Sequence, residues 1–193
     1  MKTLQDYIDK LNKLNFKEME LKYYNPDNKN SYADFCSSLK TLLEESGAHT
    51  RDIVIMCIGS DRATGDCLGP LVGEKLSQGG SSVSVYGTLA SPVHAKNLPS
   101  TIKKIRRYHN DPLIIAVDAS LGTSRHVGYV TLGKGALKPG TGVEKKLPQI
   151  GDICITGIVN VSGMINQMLL QTTRLHLVFK LSDFIYAGLK EIS

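Results

Sequence analysis

Two short runs, "DIVIMCI" over 52–58 and "PLIIAVD" over 112–118, are apolar at nearly every position. A strand with one wet face alternates apolar and polar side chains, whereas a strand covered on both faces does not. Such runs demand helices above and below a sheet, which removes most all-β and all-α architectures. The neighbouring segments comply. A helix over about 69–77 follows the first run, and a strand over 82–87 comes next. "LPSTIKKIRRYH" (98–109) then places Leu98, Ile102 and Ile105 on one helical face. "ICITGIVNV" (153–161) predicts another buried strand, followed by a long helix or a pair of helices to Leu189. The expected fold class is α/β: a three-layer α/β/α sandwich with a mostly parallel sheet and one antiparallel strand. That strand is "VGYVTLG" (127–133), which starts only eight residues after Asp118. Eight are too few for a parallel crossover, so an antiparallel hairpin with the 112–118 strand is expected. Residues 134–152, rich in Gly and Pro, read as a surface loop.

Ahead of residue 51 the pattern is helical. Leu4, Ile8, Leu11 and Leu14 predict an amphipathic helix over 3–14. Lys22–Asn30 reads as a turn-rich linker, and Ser31 with Asp34 resembles a capping box for a helix that Gly47 closes. Residues 1–50 are thus expected to form a helical extension packed on an α/β domain of residues 51–193. Packing or assembly, including a homodimer, is its expected role.

Composition narrows the setting. The chain of 193 residues is 41% hydrophobic and 21% charged, ordinary values for a soluble globular protein. No apolar run approaches the roughly 20 residues that span a bilayer, and the N-terminus lacks a signal-peptide core. A cytoplasmic protein with no membrane partner is expected. Cys36, Cys57, Cys67 and Cys154 have no CxxC spacing and are expected to be free thiols, Cys57 and Cys154 in the core. The net charge of +5 is modest. "KKIRR" (103–107) predicts a solvated helix face, and without interleaved aromatics no nucleic-acid partner is expected.

Ligands of parallel α/β sheets bind beyond the carboxyl ends of the strands. Four segments are expected there: Gly59–Asp66, Thr88–His94, Asp118–Thr123 and Gly157–Asn160. They carry three acids, Asp61, Asp66 and Asp118, together with His94. "GSDRATGDCLGP" (59–70) has the outline of a phosphate loop, but Asp66 rather than Lys follows Gly65. Its carboxylates would repel a phosphate. Asp118 emerges from a wholly apolar run, and an ionised carboxylate there is costly unless paired, hydrogen-bonded or protonated. It either caps the next turn or accepts backbone donors, or it has a chemical role. Asp66, at a helix start, gains about 0.3–1 kcal/mol from the helix dipole alone. Asp61 reads as an exposed loop acid beside Arg62. As a pair, Asp66 and Asp118 offer more. Two carboxylates brought close do not both ionise easily, so one keeps its proton. The ionised one can activate water while the other donates to a carbonyl. The same pair can instead hold a divalent metal, with His94, His126 or water completing the shell.

"IGSDRATGDCLGPLVG", "VHAKNL", "VDASLG", "GDICITGIVNVSG" and "LLQTTRL" resemble the sporulation protein YyaC family, DUF1256. That family is similar to the germination protease of spore-forming bacteria and, more distantly, to the hydrogenase maturation peptidases. The likeness runs from about Asp52 to Leu177. It implies the α/β fold those peptidases share. It also implies catalytic aspartates at Asp66, within "GDCLGP", and Asp118, within "AVDAS". The hydrogenase maturation peptidases carry acidic nickel ligands at matching positions and a third, histidine ligand farther along. Residues 145–160 hold no histidine and His126 follows Asp118 too closely, so neither metal nor cofactor is expected. The germination protease is also much longer and has a pro-region that nothing here matches.

The resemblance implies a sporulation-associated peptidase in the forespore or spore interior, acting on peptide bonds of small spore proteins. Gly59, Ser60, Asp61, Thr64, His94, Gly157 and Asn160 are expected to line its cleft, with N–H groups near Gly65–Leu68 stabilising the oxyanion. Two other functions stay open. One is a non-catalytic sporulation factor that binds a partner through the same cleft. The other is a metal-dependent hydrolase using Asp61, Asp66, Asp118 and His94.

Overall fold

The computed structural model describes residues 20–137, 139 and 148–192, so the helix expected over 3–14 lies outside the described residues. The chain runs β1 (Leu21–Tyr24), α1 (Ser31–Glu45), β2 (Ile53–Cys57), α2 (Leu68–Gln78), β3 (Ser84–Tyr86) and α3 (Leu98–Tyr108). It continues through β4 (Leu113–Gly122), β5 (Val130–Lys134), β6 (Ile153–Val161), α4 (Asn166–Gln171) and α5 (Leu175–Lys190). Six strands make one sheet in the order β1-β5-β6-β4-β2-β3. β3, β2, β4 and β6 pair in parallel, while β5 is antiparallel to both β6 and β1. The mixed α/β sheet with one reversed strand is the expected fold class.

Both faces of the sheet are covered, as the unbroken apolar runs demand. On one side Ile55, Val117 and Ile155 meet Phe35, Leu39 and Leu43 of α1, Leu68, Val72 and Leu76 of α2, and Val178, Leu181 and Ile185 of α5. On the other, Val54, Met56, Ala116 and Cys154 meet Leu98, Ile102 and Ile105 of α3, with Leu137 and Ile150 from the β5–β6 connection. Burying side chains such as these contributes about 1.5–3 kcal/mol each. The basic residues Lys103, Lys104, Arg106 and Arg107 of α3 are exposed, as their spacing predicts. None of the four cysteines forms a disulfide, and Cys57 and Cys154 are buried in the core. Among the described residues no helix is long and apolar enough to cross a membrane.

Three local expectations are corrected. The 112–118 and 127–133 strands run in opposite directions but do not pair, because β6 lies between them. β6 is apolar toward both helical layers and gains most from a central position, which leaves β5 one place farther out. Part of the expected linker over Lys22–Asn30 is strand: Leu21–Tyr24 pairs with Val130–Gly133, so β1 is built into the sheet. The capping box is absent. Asn30 rather than Ser31 occupies the cap of α1, without a side-chain hydrogen bond, and Ser31 is a buried helical residue. Gly47 closes α1 with φ +77° as expected, its N–H donating to the Glu44 carbonyl.

Candidate active site

The site is made where β2 stops and β4 does not. β2 pairs with β4 as far as Cys57 and Val117, and the Ile58 N–H still donates to the Val117 carbonyl at 2.7 Å. At Gly59 the chain turns away, its N–H donating to Val93 O at 2.8 Å. β4 continues to Gly122 beside β6. Asp118 is therefore inside its strand, not at the strand end expected from the apolar run. It lies one residue past the point where β2 ceases to flank it. The departing chain folds back as a tight loop: Ser60 N–H donates to the Asp66 carbonyl at 3.1 Å and Cys67 N–H to that of Ala63 at 3.1 Å. A single 3₁₀ turn, Gly65–Cys67, then delivers Asp66 directly into α2.

Gly59 makes this return possible. Its φ is +143°, and a Cβ there would lie 2.0 Å from the Asp66 carbonyl oxygen. Gly59→Ala is expected to destabilise the fold by about 2–3 kcal/mol, through backbone strain plus that collision. Thermal unfolding checks it. A melting temperature equal to wild type would mean that the loop adapts freely.

Asp118 is only 7% exposed. Among the described residues its carboxylate takes one hydrogen bond, from the Ala119 N–H at 2.8 Å. That is too little to hold a buried charge. Burial, and then the charge of Asp66, push Asp118 well above the ordinary carboxylate value, with the Ala119 N–H opposing. Asp66 is raised more mildly. Burial raises it, while the Ser60 N–H and a charged His94 favour its ionised form. The two environments differ in the sense that separates a proton donor from a base: Asp118 keeps its proton and Asp66 releases its own first.

Beside Asp118 lies a ladder of hydroxyls that no sequence motif announces. Thr156, the β6 partner of Asp118, is 2.7 Å from the Thr131 hydroxyl of β5 and 3.0 Å from that of Ser120. Thr131 is buried. Threonine is common in strands for its shape alone, so only the alternation Asp118, Ser120 on one face signals this polar strip.

The structure separates the other expected cleft residues by what they touch. His94 is close enough to Asp66 to influence its charge. The His94 N–H is held by Asn97 Oδ1 at 2.8 Å and its Nδ1 accepts from Lys96 N–H at 3.3 Å. Ser60 Oγ accepts from the Arg62 N–H. Thr64 gives its carbonyl to the Cys67 thiol at 2.9 Å. Asp61 is exposed in the loop. Gly157 faces the opposite layer, where an added Cβ would lie 2.5 Å from Leu68. Asn160 ties down α4, its Nδ2 donating to the Leu169 carbonyl at 2.9 Å. A bulge in β6, where Ser120 pairs with Ile158 and Leu121 with Asn160, brings it there. His126 is stacked 4.6 Å from the Tyr23 ring and packs against Tyr129. The Cys67 N–H, bonded to Ala63, is not free for an oxyanion. Among the described residues no group of three or more His, Cys, Asp or Glu is arranged to hold a metal ion.

A concavity of about 390 Å³ opens at the amino edge, lined by Arg51, Asp52, Ser82, Ser84 and His109 among others. The Arg51 guanidinium is engaged there by carbonyls of Ser46, Asp111 and Pro112 and by the Asp152 carboxylate. It is a structural knot at the edge opposite the acids.

The six-stranded mixed sheet with helices on both faces is a fold that the chain shares with a solved structure. The crystal structure of the [NiFe] hydrogenase maturation protease HycI from Thermococcus kodakarensis matches it with a TM-score of 0.53. The match covers 80% of this chain and 97% of that one at 18% identity. Within that fold the chain belongs to the family described as "Protein of unknown function (DUF1256)", whose model matches residues 22–188. The match takes in β1 and α1, beyond the segment that carries the sequence motifs. The chain is also 49% identical over 154 residues to "Uncharacterized protein YyaC" of Bacillus subtilis (strain 168), covering 78% of this chain and 75% of that protein.

Proposed function

We propose that the protein is an aspartic-type endopeptidase, with Asp66 and Asp118 sharing one proton. The observation that carries this reading is the asymmetry of the pair: Asp118 is buried on one hydrogen bond and raised by burial and then by the charge of Asp66, while for Asp66 burial is opposed by Ser60 N–H and by the charge of His94. Asp66, as the carboxylate, takes a proton from water as its oxygen attacks a peptide carbonyl. Asp118, as the acid, donates to that carbonyl oxygen. When the tetrahedral intermediate collapses, the leaving amine takes the proton held by Asp66 and the hydroxyl returns one to Asp118. The likeness to the HycI fold and the motif resemblance to the germination protease support a peptidase, and the latter points to small spore proteins as substrates.

The test is to incubate the protein with small spore proteins and follow fragments by mass spectrometry. Asp66→Asn and Asp118→Asn should each lower cleavage by about 10²–10⁴-fold, the usual worth of a positioned acid or base. The pH profile of the wild type should be bell-shaped, rising as Asp66 loses its proton and falling as Asp118 loses its own. Cleavage that survives both substitutions would sink the mechanism.

A further inference from the structure

We propose that the outward face of α3 binds the phosphate backbone of a nucleic-acid duplex without regard to its sequence; this does not depend on the peptidase reading. From Lys75 to Asn110 the chain carries Lys75, Lys96, Lys103, Lys104, Arg106 and Arg107 and not one acid, although 18 of its 193 residues are acidic. The last four cations stand on α3, which buries Leu98, Ile102 and Ile105 and leaves those four exposed. At about 100° per residue they fan over the side of the helix that faces away from the core.

A merely solvated helix does not need such a face. Lys103 and Arg107 are a like-charge pair at i,i+4, and Lys103 with Arg106 and Lys104 with Arg107 are like-charge pairs at i,i+3. Each opposes the helix where a mixed pair would support it. The helix dipole favours Arg106 and Arg107, which lie in the last turn, but fades before Lys103 and Lys104. Among the described residues none of the four makes an ion pair, whereas Arg51, Lys75, Lys134 and Lys180 all do. The expectation of no nucleic-acid partner rested on a basic run without interleaved aromatics, and the fold places two rings beside it. Lys104 Nζ stands 5.7 Å from the Tyr86 ring centroid, and the Arg107 guanidinium 5.9 Å from that of Tyr108. Tyr86 comes from β3 and is itself held, its hydroxyl 3.1 Å from His109 Nε2. Rings so placed steady long cationic side chains without neutralising them.

Of the polyanions with the right sign, a duplex fits best. A membrane surface would need apolar side chains to insert beside the cations. The exposed Met164, Ile165, Met168, Leu175 and Phe179 belong to α4, α5 and their flanks, and α5 packs on the opposite face of the sheet. An acidic peptide offers at most one charge per roughly 3.3 Å of chain, and draws on pockets for its side chains that a convex helix face does not provide. A duplex carries a charge every ~1.7 Å of its axis and binds through counterion release, for which exposed, unpaired cations suffice.

Fluorescence anisotropy of the full chain with a fluorescein-labelled DNA duplex of arbitrary sequence tests this. Binding should be measurable at about 50 mM salt, and log affinity should fall against log salt with a slope of about −3 to −4, as for four phosphates. Lys103→Glu with Arg107→Glu should weaken binding at least about tenfold and reduce the slope by about two. Lys103→Gln with Arg107→Gln, which builds no new ion pair, should act in the same direction, and circular dichroism checks that each variant is folded. Lys29 and Lys40 are exposed at and before α1, on the other side of the sheet. Reversing both to Glu changes the net charge equally and should leave affinity within about twofold. No binding at about 50 mM salt, an equal loss from the Lys29 and Lys40 reversal, or binding that survives in both α3 variants would overturn the inference. So would equal or tighter binding of labelled polyglutamate, or of vesicles rich in phosphatidylglycerol, which would assign the face to an acidic protein or to a membrane.

Discussion

Asp118→Asn is expected to be more stable than wild type at neutral pH, although under the proposed mechanism it should lower cleavage by about 10²–10⁴-fold. The reasoning is proton linkage. The folded state raises Asp118 above its ordinary value of 3.8, mainly by burial. Between that value and the folded one, the native state binds a proton that the unfolded state has released. The slope of unfolding free energy with pH follows protons bound by the unfolded state minus those bound by the native one, so here it is negative. Asp118 thus contributes fully below pH 3.8, and its contribution is lost as the pH rises through the folded value. Asparagine keeps the oxygen that accepts from Ala119 and cannot titrate. The difference between variant and wild type should be near zero at about the ordinary value of 3.8, widen as the pH rises above it, and level off once the pH passes the folded value. Each kcal/mol should appear as about 2–4 °C in melting temperature for a chain of this length. Urea unfolding at several pH values measures it. A gap that stays constant with pH, or a variant less stable throughout, would mean that Asp118 is not held protonated. The pairing of higher stability with lost activity is what a strained functional acid should show, and a merely structural Asp118 would show neither.

The acid pair was legible because each member violates its surroundings. Asp118 interrupts a run apolar enough to be buried on both faces, and Asp66 stands where a phosphate loop would carry a lysine. The sheet itself was legible for a related reason, since strands that lose alternation, as 52–58, 112–118 and 153–161 do, must be covered on both faces. What escaped were features that depend on neighbours in space. β1 buries only Tyr24 of its four residues and joins the sheet through backbone bonds to β5, which leave no trace in side-chain pattern. The insertion of β6 between β4 and β5 is a competition between pairings, and no local signal records the winner. Likewise the bulge that turns Asn160 onto α4 is a matter of one residue's pairing. Gly157 and Asn160 stood out for their place beside a strand end, yet they serve the back wall and the anchoring of α4. The helix pair and the chemistry of the loop were within reach of periodicity and charge; the hydroxyl strip of Thr131, Thr156 and Ser120 was not, because strand threonines are commonplace.

Arg51 is a residue outside the apolar core whose loss the fold should feel strongly, and nothing in its sequence context marks it. Its Nε donates to the Asp111 carbonyl at 3.1 Å, one terminal nitrogen to Ser46 O at 3.1 Å, and the other to Pro112 O at 2.8 Å, while both face the Asp152 carboxylate. Asp152 in turn accepts from Ile114 N–H at 2.9 Å. One guanidinium thereby joins the end of α1, the start of β4 and the approach to β6. It also steadies Asp111, which holds a left-handed φ of 42° ahead of Pro112. The ion pair with Asp111, whose side chain is 75% exposed, adds little. The larger effect is the set of carbonyls and the partly buried Asp152 that would lose their donor, since groups stranded in this way cost about 1–3 kcal/mol each when fully buried. Arg51→Ala is therefore expected to lose about 3 kcal/mol, which corresponds to a fall of about 6–12 °C in melting temperature. Arg51→Lys should recover less than half of it, because an ammonium cannot present the planar fork that reaches three carbonyls and a carboxylate together. Full rescue by lysine would reduce Arg51 to a point charge, and melting of Arg51→Ala within a degree or so of wild type would remove it as the fastening of the amino edge.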